Sequence, residues 1–187
     1  MRLSFVKMEA AGNDYIYVDG VTKRIPRVDW SALSCILSDR HRGIGSDGLI
    51  LILPSDEADF EMRIFNADGS EGDMCGNGVR SLGRYVWDNG LSGGRVFTVR
   101  TRSGLVTLEV LTSEEAVDVD VTVPAPAFRR GEIPMQGNRR SLAGGVTLRL
   151  AGHRIFVYGV RVGNPNCVIF VRDPDAIDLP VLGPLLE

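Results

Sequence analysis

"GDMCGNGVRSLGRYVWDNG", Gly72 to Gly90, sets one cysteine against a pair of glycines and an asparagine, then runs into a segment that reads as a helix stopping at Asn89-Gly90. A thiol at a glycine-rich turn that opens a helix is an unusual placement for a residue that most often fills core space. The positive end of the helix and its unpaired N–H groups favour the thiolate over the thiol. The same N–H groups, from Gly76, Asn77 and their neighbours, can hold a carboxylate, and glycine lets that carboxylate approach the backbone closely. A base and an anion cradle side by side suit removal of a proton from the carbon next to a carboxylate, because the cradle stabilises the charge that develops there. Thiolate is a weak base for so weak a carbon acid. Each pKa unit of mismatch corresponds to about 1.4 kcal/mol, so the cradle and desolvation must supply most of the difference.

Outward from that corner, short strands alternate with two helices. "LSFVKMEAAGNDYIYVDG" reads as two strands around a glycine-containing turn, closed at Asp19-Gly20. "DWSALSCILSDR" reads as an amphipathic helix with Asp29 as N-cap and Trp30, Leu33 and Leu37 on one face. "GLILILPS" is a buried strand ended by Pro54, and "DFEMRIFNADG" alternates before a turn at Asp68-Gly69. From "RVFTVRT" to "VDVDVTVPAPAF" the period is two, giving strands. The Pro-rich "VPAPAFRRGEIP" reads as a linker or edge segment, and places a boundary near residue 122. The expected domains are therefore 1–122, carrying the cysteine turn, and 123–187. "AGNDYIYVDG" and "VGNPNCVIFVRD" echo one another, each running Gly, Asn, turn residue and a β-rich stretch to Asp. Two similar halves at that offset would put a counterpart of Cys75 at about position 226, beyond the 187 residues given.

Composition excludes several classes. The chain is 44% hydrophobic and 24% charged with a net charge of -3, so neither disorder nor a nucleic-acid or acidic-membrane partner is expected. No stretch is long enough to cross a bilayer, and the N-terminus lacks the uninterrupted apolar run and cleavage site of a signal peptide. Cys35, Cys75 and Cys167 are far apart without a CxxC pair, which indicates neither a metal site nor a disulfide framework and favours a reducing cytoplasm. Cys35, inside an apolar helix, and Cys167, inside "NCVIFV", read as structural core residues. His41 and His153 read as solvent-facing or packing residues. "GIGSDG", Gly43 to Gly48, fits G-x-G-x-x-G, yet a helix precedes it and a strand follows. That is the reverse of a dinucleotide site, so these glycines are expected to form a turn packed near the thiol.

"AAGNDYIYVD", "HRGIGSDGLILI", "RIFNADGSEGDMCGNGVR" and "VGNPNCVIFV" together resemble the diaminopimelate epimerase family in order and approximate spacing, and the block around Cys75 is highly specific for it. The resemblance covers the whole chain, although the family's members are longer. It implies an α/β (α+β) fold of two pseudo-symmetric halves, each with a sheet wrapped around a central helix and the substrate between them. The activity implied is cofactor-independent interconversion of LL- and meso-diaminopimelate, in lysine and peptidoglycan synthesis. By position, Cys75 resembles the first of the family's two catalytic cysteines, and Gly76 and Asn77 its carboxylate-binding turn. Asn13, Asn66 and Asn164 match asparagines that hold the substrate's polar ends; an amide offers donor and acceptor together, which suits a ligand with an amino acid group at each end.

Two departures stand against the family's pattern. Asn166 occupies a place where the family usually has histidine. The family's other cysteine, a carboxylate–arginine pair and a second glycine-rich helix start have no match here, so the second half is expected to be incomplete. Inversion needs a base on one face of the carbon and an acid on the other, so this chain alone is expected to be inactive or nearly so. Other readings stay open: a non-catalytic half-site subunit or binding module that needs a partner chain, and a racemase of another amino acid such as histidine. Apolar edges in the second half are expected to drive homo-oligomer formation.

Overall fold

The opening stretch forms a hairpin. β1 (Val6–Ala10) and β2 (Asn13–Asp19) pair antiparallel with Ala10 opposite Asn13, and the two residues between them, Ala11 and Gly12, both take positive φ. That is the pattern of a type I′ turn, whose twist matches the strands it joins. The computed structural model describes residues 2–112, 117–150 and 152–186, without the side chain of His153; residues 113–116, inside the stretch expected as strands, lie outside the described residues. The chain divides into two units, Met1–Pro124 and Ala125–Glu187.

α1 (Trp30–Ser38) is capped as its sequence implies, with the Asp29 carboxylate accepting from the Ala32 N–H at 3.1 Å. A turn then leads into β3 (Gly48–Leu53), so the glycine-rich 43–48 segment does run from helix to strand. β4 (Phe60–Asn66) and the two-residue β5 (Glu71–Gly72) precede α2 (Gly76–Asp88), which ends on Asn89 with Gly90 at φ +61. β6 (Val96–Thr101), β7 (Gly104–Thr112) and β8 (Val117–Thr122) complete the unit.

These eight strands form one sheet in the order β1-β2-β3-β4-β6-β7-β8, with β5 on β4. The β2/β3 and β4/β6 pairs are parallel and the rest antiparallel. Strands from both ends of that order, β1 and β2 on one side and β7 and β8 on the other, pack on the same helix, α2. A sheet can touch one helix from both edges only by curling around it.

Period-two alternation divides the core between the two faces of this sheet. Tyr15, Tyr17, Ile50, Ile52, Met62 and Ile64 face α2, joining its Val79, Leu82 and Val86, which are fully buried. Ile16, Val18, Leu49, Leu51 and Phe65 face the other way, onto Trp30 and Leu37 of α1. Cover on both faces explains why β3 reads as an unbroken apolar run instead of an alternating one. Each fully buried aliphatic side chain contributes about 1.5–3 kcal/mol, so α2 is held mainly by its apolar face. Polar tethers fix its register: the Tyr17 hydroxyl donates to the Gly78 carbonyl at 3.0 Å, and the Tyr85 hydroxyl donates to the Asp19 carboxylate at 3.2 Å.

The face of α1 chosen by periodicity is the packed one, but its most deeply buried residues are serines. The Ser34 hydroxyl donates to the Phe65 and Asn66 carbonyls, and the Ser46 hydroxyl meets that of Ser38 at 3.0 Å. Cys35 therefore sits on the exposed side and is not the core residue expected, although its Sγ lies against the Gly69 turn. His41 is exposed, as expected.

The second unit is a three-stranded antiparallel sheet, β9 (Val146–Leu150), β10 (His153–Val162) and β11 (Asn164–Val168), in the order β11-β10-β9. A short helix, α3 (Leu179–Leu186), follows, with the Asp178 carboxylate accepting from the Val181 N–H. Among the described residues of this unit the buried hydrophobic ones are Ile133, Ala143 and Val157. Cys167, expected in a strand core, is exposed because β11 is the edge strand of this sheet.

Gly83 of α2 is where the curl is tightest. A Cβ there would meet Leu108 Cδ2 at 2.6 Å and Val119 Cγ1 at 2.8 Å, on β7 and β8. Helix propensity favours alanine over glycine by about 1 kcal/mol, but Leu108 is fully buried and has no room to yield, so overpacking of about 1–3 kcal/mol outweighs it. Gly83→Ala should therefore lower the urea midpoint of unfolding, and a raised midpoint would show that the sheet does not close on the helix at this residue.

Candidate active site

The curl brings the beginnings of β2 and β3, the end of β4 and the N-terminus of α2 to one rim of the first unit. Register shows this directly: Tyr15 lies beside Gly48, and Gly48 lies opposite Asn66, so three neighbouring strands reach the rim at one row, about 4.8 Å apart.

Cys75 is the N-cap of α2, with extended backbone at φ −131 and ψ 113. Its Sγ accepts from the Gly78 N–H at 3.3 Å, doing with sulfur what serine or aspartate oxygen usually does at this position. The first intrahelical bond is Val79 N–H to the Cys75 carbonyl at 2.8 Å. Gly76 and Asn77 come before it, so their N–H groups are among those a helix start leaves to a ligand. Space is open around Gly76, where a Cβ would meet nothing within 4 Å. The expected turn, sulfur beside free-standing backbone donors, is thus formed, and Cys75 is half-buried.

Asn77 and Asn13 meet at this turn. Asn77 Nδ2 donates to Asn13 Oδ1 at 2.9 Å, Asn13 Nδ2 donates to Asp47 Oδ2 at 3.1 Å, and Arg80 donates to Asn77 Oδ1 at 3.1 Å. The chain of bonds fixes both amide orientations, because each oxygen and each nitrogen has a partner of the right kind. Each amide keeps a second N–H beyond these bonds. Asp47 comes from the glycine-rich 43–48 turn, which therefore does pack beside the thiol's helix start. Arg40 anchors the base of the network, bridging Asp14 at 2.6 Å and Asp47 at 2.9 Å.

Two other expected residues are placed differently. Asn66 Nδ2 donates to the Ser70 hydroxyl within its own turn at 2.9 Å, so it shares the rim without bonding the Asn13–Asn77 pair. Asn164 belongs to the second unit, where it opens β11 after Gly163 at φ +68. Asn13 likewise opens β2 after Gly12 at φ +89. The echoed Gly-Asn pairs share that local form: a left-handed glycine in a hairpin turn, then asparagine starting the returning strand. Asn166 donates to the Asn164 carbonyl at 2.8 Å.

Tyr15 is the residue that sequence reasoning missed. It is buried on the α2 face of β2, in the same apolar cluster as Cys75. Burial first, and then the neighbouring Cys75, push its phenol well above the ordinary tyrosine range. Burial does the same to Tyr17. Both remain neutral donors at physiological pH. Tyr15 stands in "AGNDYIYVD", but only alternation against α2 could have singled it out.

The fold is shared with proteins of amino-acid epimerase and related type. A hydroxyproline epimerase from Agrobacterium vitis matches 96% of this chain and 56% of its own with a TM-score of 0.64 at 15% identity. A PhzF-family phenazine biosynthesis protein from Bacillus anthracis matches 92% and 56% with a TM-score of 0.55 at 20% identity. The family model for diaminopimelate epimerase matches residues 5–125. Diaminopimelate epimerase of Geobacillus thermodenitrificans is 40% identical over 98% of this chain and 63% of its own length. That of Bacillus cereus is 42% identical over 100% and 65%. The chain belongs to the diaminopimelate epimerase family, and spans about 63–66% of the length of the curated relatives it matches.

Asp14 supplies a pH test of the network. Hydrogen bonds from Arg40 and Lys7 hold its carboxyl well below the ordinary carboxylate range. A depressed folded value adds stability that is fully present above the unfolded value, about 3.9, and is lost as pH falls toward the folded one. Between pH 6 and pH 2 the urea midpoint of Asp14→Asn should fall less steeply than that of the parent. Equal slopes would mean that Asp14 is not held by these cations.

Proposed function

We propose that this chain carries one of the two acid–base groups of a cofactor-independent diaminopimelate epimerase, with Cys75 as the base. The observation that supports this reading is the turn at α2, where the sulfur and the N–H groups of Gly76 and Asn77 belong to one helix start. A substrate carboxylate held by those N–H groups lies next to the α-carbon that the sulfur must reach. The Cys75 thiolate takes the α-proton and becomes a thiol, and the C–H electron pair passes into the carboxylate, whose growing charge the N–H donors stabilise. Asn13 and Asn77 each offer a remaining N–H, and Asn66 and Asn164 are the further amides assigned to the substrate's polar ends.

Inversion requires the carbanion to be reprotonated from the opposite face. Residues 1–122 are proposed as the first half of the family's site, and 123–187 as the beginning of the second. With one thiol at the α2 turn, a proton taken from one face returns to that face. In deuterium oxide with LL-diaminopimelate, the chain should place deuterium at the α-carbon without inverting it, and Cys75→Ala should lower that exchange by about 100-fold or more. Robust inversion by the isolated chain would overturn the one-base reading, and exchange undiminished in Cys75→Ala would remove Cys75 as the base.

Association through the second unit and a cytoplasmic location complete the proposal. Phe170 is 80% exposed, Leu179 65%, Val181 62% and Phe156 51%, all within residues 125–187. Large apolar side chains this exposed and this concentrated mark an association surface. Among the described residues, no helix is long and apolar enough to cross a membrane. Light scattering should give a mass above that of the monomer, falling when Phe170 and Leu179 are replaced by serine; a monomer at high concentration would count against association.

A further inference from the structure

We propose that Asp47 is a positioning residue for the amides of Asn13 and Asn77: a carboxylate with no proton to give, it sets, with Arg80 at the far end, the direction in which that pair donates. This rests on the reading of the two amides as groups that hold substrate, but it is testable without substrate.

A chain of two amides has two polarities. In one, each nitrogen donates toward position 47; in the other the chain is turned round and each donates toward position 80. The bond between the amides is equally good either way, so the pair cannot choose by itself. Its ends choose. Asp47 Oδ2 accepts from Asn13 Nδ2 at 3.1 Å and has no proton to return, while Arg80 donates to Asn77 Oδ1 at 3.1 Å and, as a guanidinium, has nothing to accept with. The bond between them, from Asn77 Nδ2 to Asn13 Oδ1 at 2.9 Å, runs the way both ends demand. Turning the chain would set oxygen against Asp47 and nitrogen against Arg80, two repulsive contacts at once.

Of the two ends, Asp47 is the fixed one. Its N–H donates to the Asp14 carbonyl at 2.8 Å and its carbonyl accepts from the Ala67 N–H at 3.0 Å. At the next residue, Gly48, an added Cβ would lie 2.2 Å from the Phe65 carbonyl oxygen, so the backbone here has no room to shift. The carboxylate is held as well: Oδ2 also accepts from the Asp14 N–H at 3.1 Å, and Oδ1 accepts from Arg40 at 2.9 Å. Arg80 is exposed, and holding so long a side chain in one place costs entropy. What Asp47 brings is direction and not charge. Asp14 pairs with Lys7 at 2.9 Å and with Arg40 at 2.6 Å, so two carboxylates, Asp14 and Asp47, face two cations. With both amide oxygens taken by donors, the N–H left on each nitrogen joins those of Gly76 and Asn77 in a set that suits a carboxylate.

The test is solvent exchange of the Asn77 side-chain amide, followed by 15N NMR and assigned by its loss in Asn77→Ala. Leucine and asparagine both match aspartate in shape, but only asparagine keeps an oxygen for Asn13 and Asp14. Asp47→Leu should quicken exchange at Asn77 about tenfold, although Asn13 stands between them, and Asp47→Asn should leave it slow. An unchanged rate in Asp47→Leu overturns the proposal, and so does equal quickening in Asp47→Asn, because charge would then be what Asp47 supplies. Should Asp47→Leu not fold, the parent protein decides: a coupling across the hydrogen bond should join Asn77 15Nδ2 to Asn13 13Cγ, and the reverse coupling, or none in either sense, refutes the assigned polarity. With diaminopimelate, Asp47→Leu should raise KM for α-deuterium exchange about tenfold and change kcat less. If Asp47→Leu loosens Asn77 while the parent exchanges no α-hydrogen, the amide chain stands and the epimerase reading falls; exchange by a chain whose KM and Asn77 amide both ignore Asp47→Leu gives the converse.

Discussion

A helix lying inside the curve of its own sheet is the constraint on which the first unit depends. Once β1, β2, β7 and β8 all close on α2, one side of the helix is buried along its length, while Arg80, Arg84 and Asp88 keep the other side at solvent. Close approach then dictates residue size. Gly83 leaves room for Leu108 and Val119, and Gly78 leaves room for Ile50, whose Cδ1 would be 2.8 Å from an added Cβ. These glycines cost helix propensity, and the fold recovers it through burial of Val79, Leu82 and Val86. The cysteine turn lies at the rim, where the helix leaves the curl.

Much of this was legible in the sequence because local signals and burial agreed. Asp29 capped α1, Asn89-Gly90 stopped α2, and the alternation of β4 matched its buried and half-buried residues from Phe60 to Ile64. The thiol's turn, the reversed order around the 43–48 glycines and the Gly-Asn echo could all be read from residue type and spacing. The misses share a physical cause, since each depends on a partner distant in sequence. Ser34 and Ser38 are the deepest residues of α1 only because carbonyls of β4's end and the Ser46 hydroxyl receive them. Tyr15 is buried because alternation turns it toward a helix start 60 residues further on. Cys167 looks like core in an apolar run, yet β11 is an edge strand and leaves it exposed. α3 was hidden by its prolines: Pro180 is tolerated in the first turn, where its missing N–H costs nothing, and Pro184 lies inside the helix.

The hydrogen bond at Sγ also bears on how much chemistry a thiol can do. For an acid–base catalyst, each bond that makes the thiolate easier to form also makes it a weaker base, so the gain ends once the group titrates near the working pH. The Gly78 N–H at 3.3 Å fixes the direction of the Cys75 sulfur. In the proposed reaction, the barrier to breaking an α C–H bond has to be lowered on the substrate's side. On that proposal the role falls to the N–H groups of Gly76 and Asn77, at the start of a helix packed in the curve of the sheet. Their alignment with the developing charge costs no reorganisation during reaction, which is why such preorganised donors contribute more to rate than their ground-state bonds suggest. The enclosing sheet thus acts on the chemistry through rigidity: it supplies no reacting group from most of its strands, but it keeps sulfur, amides and backbone donors in one register.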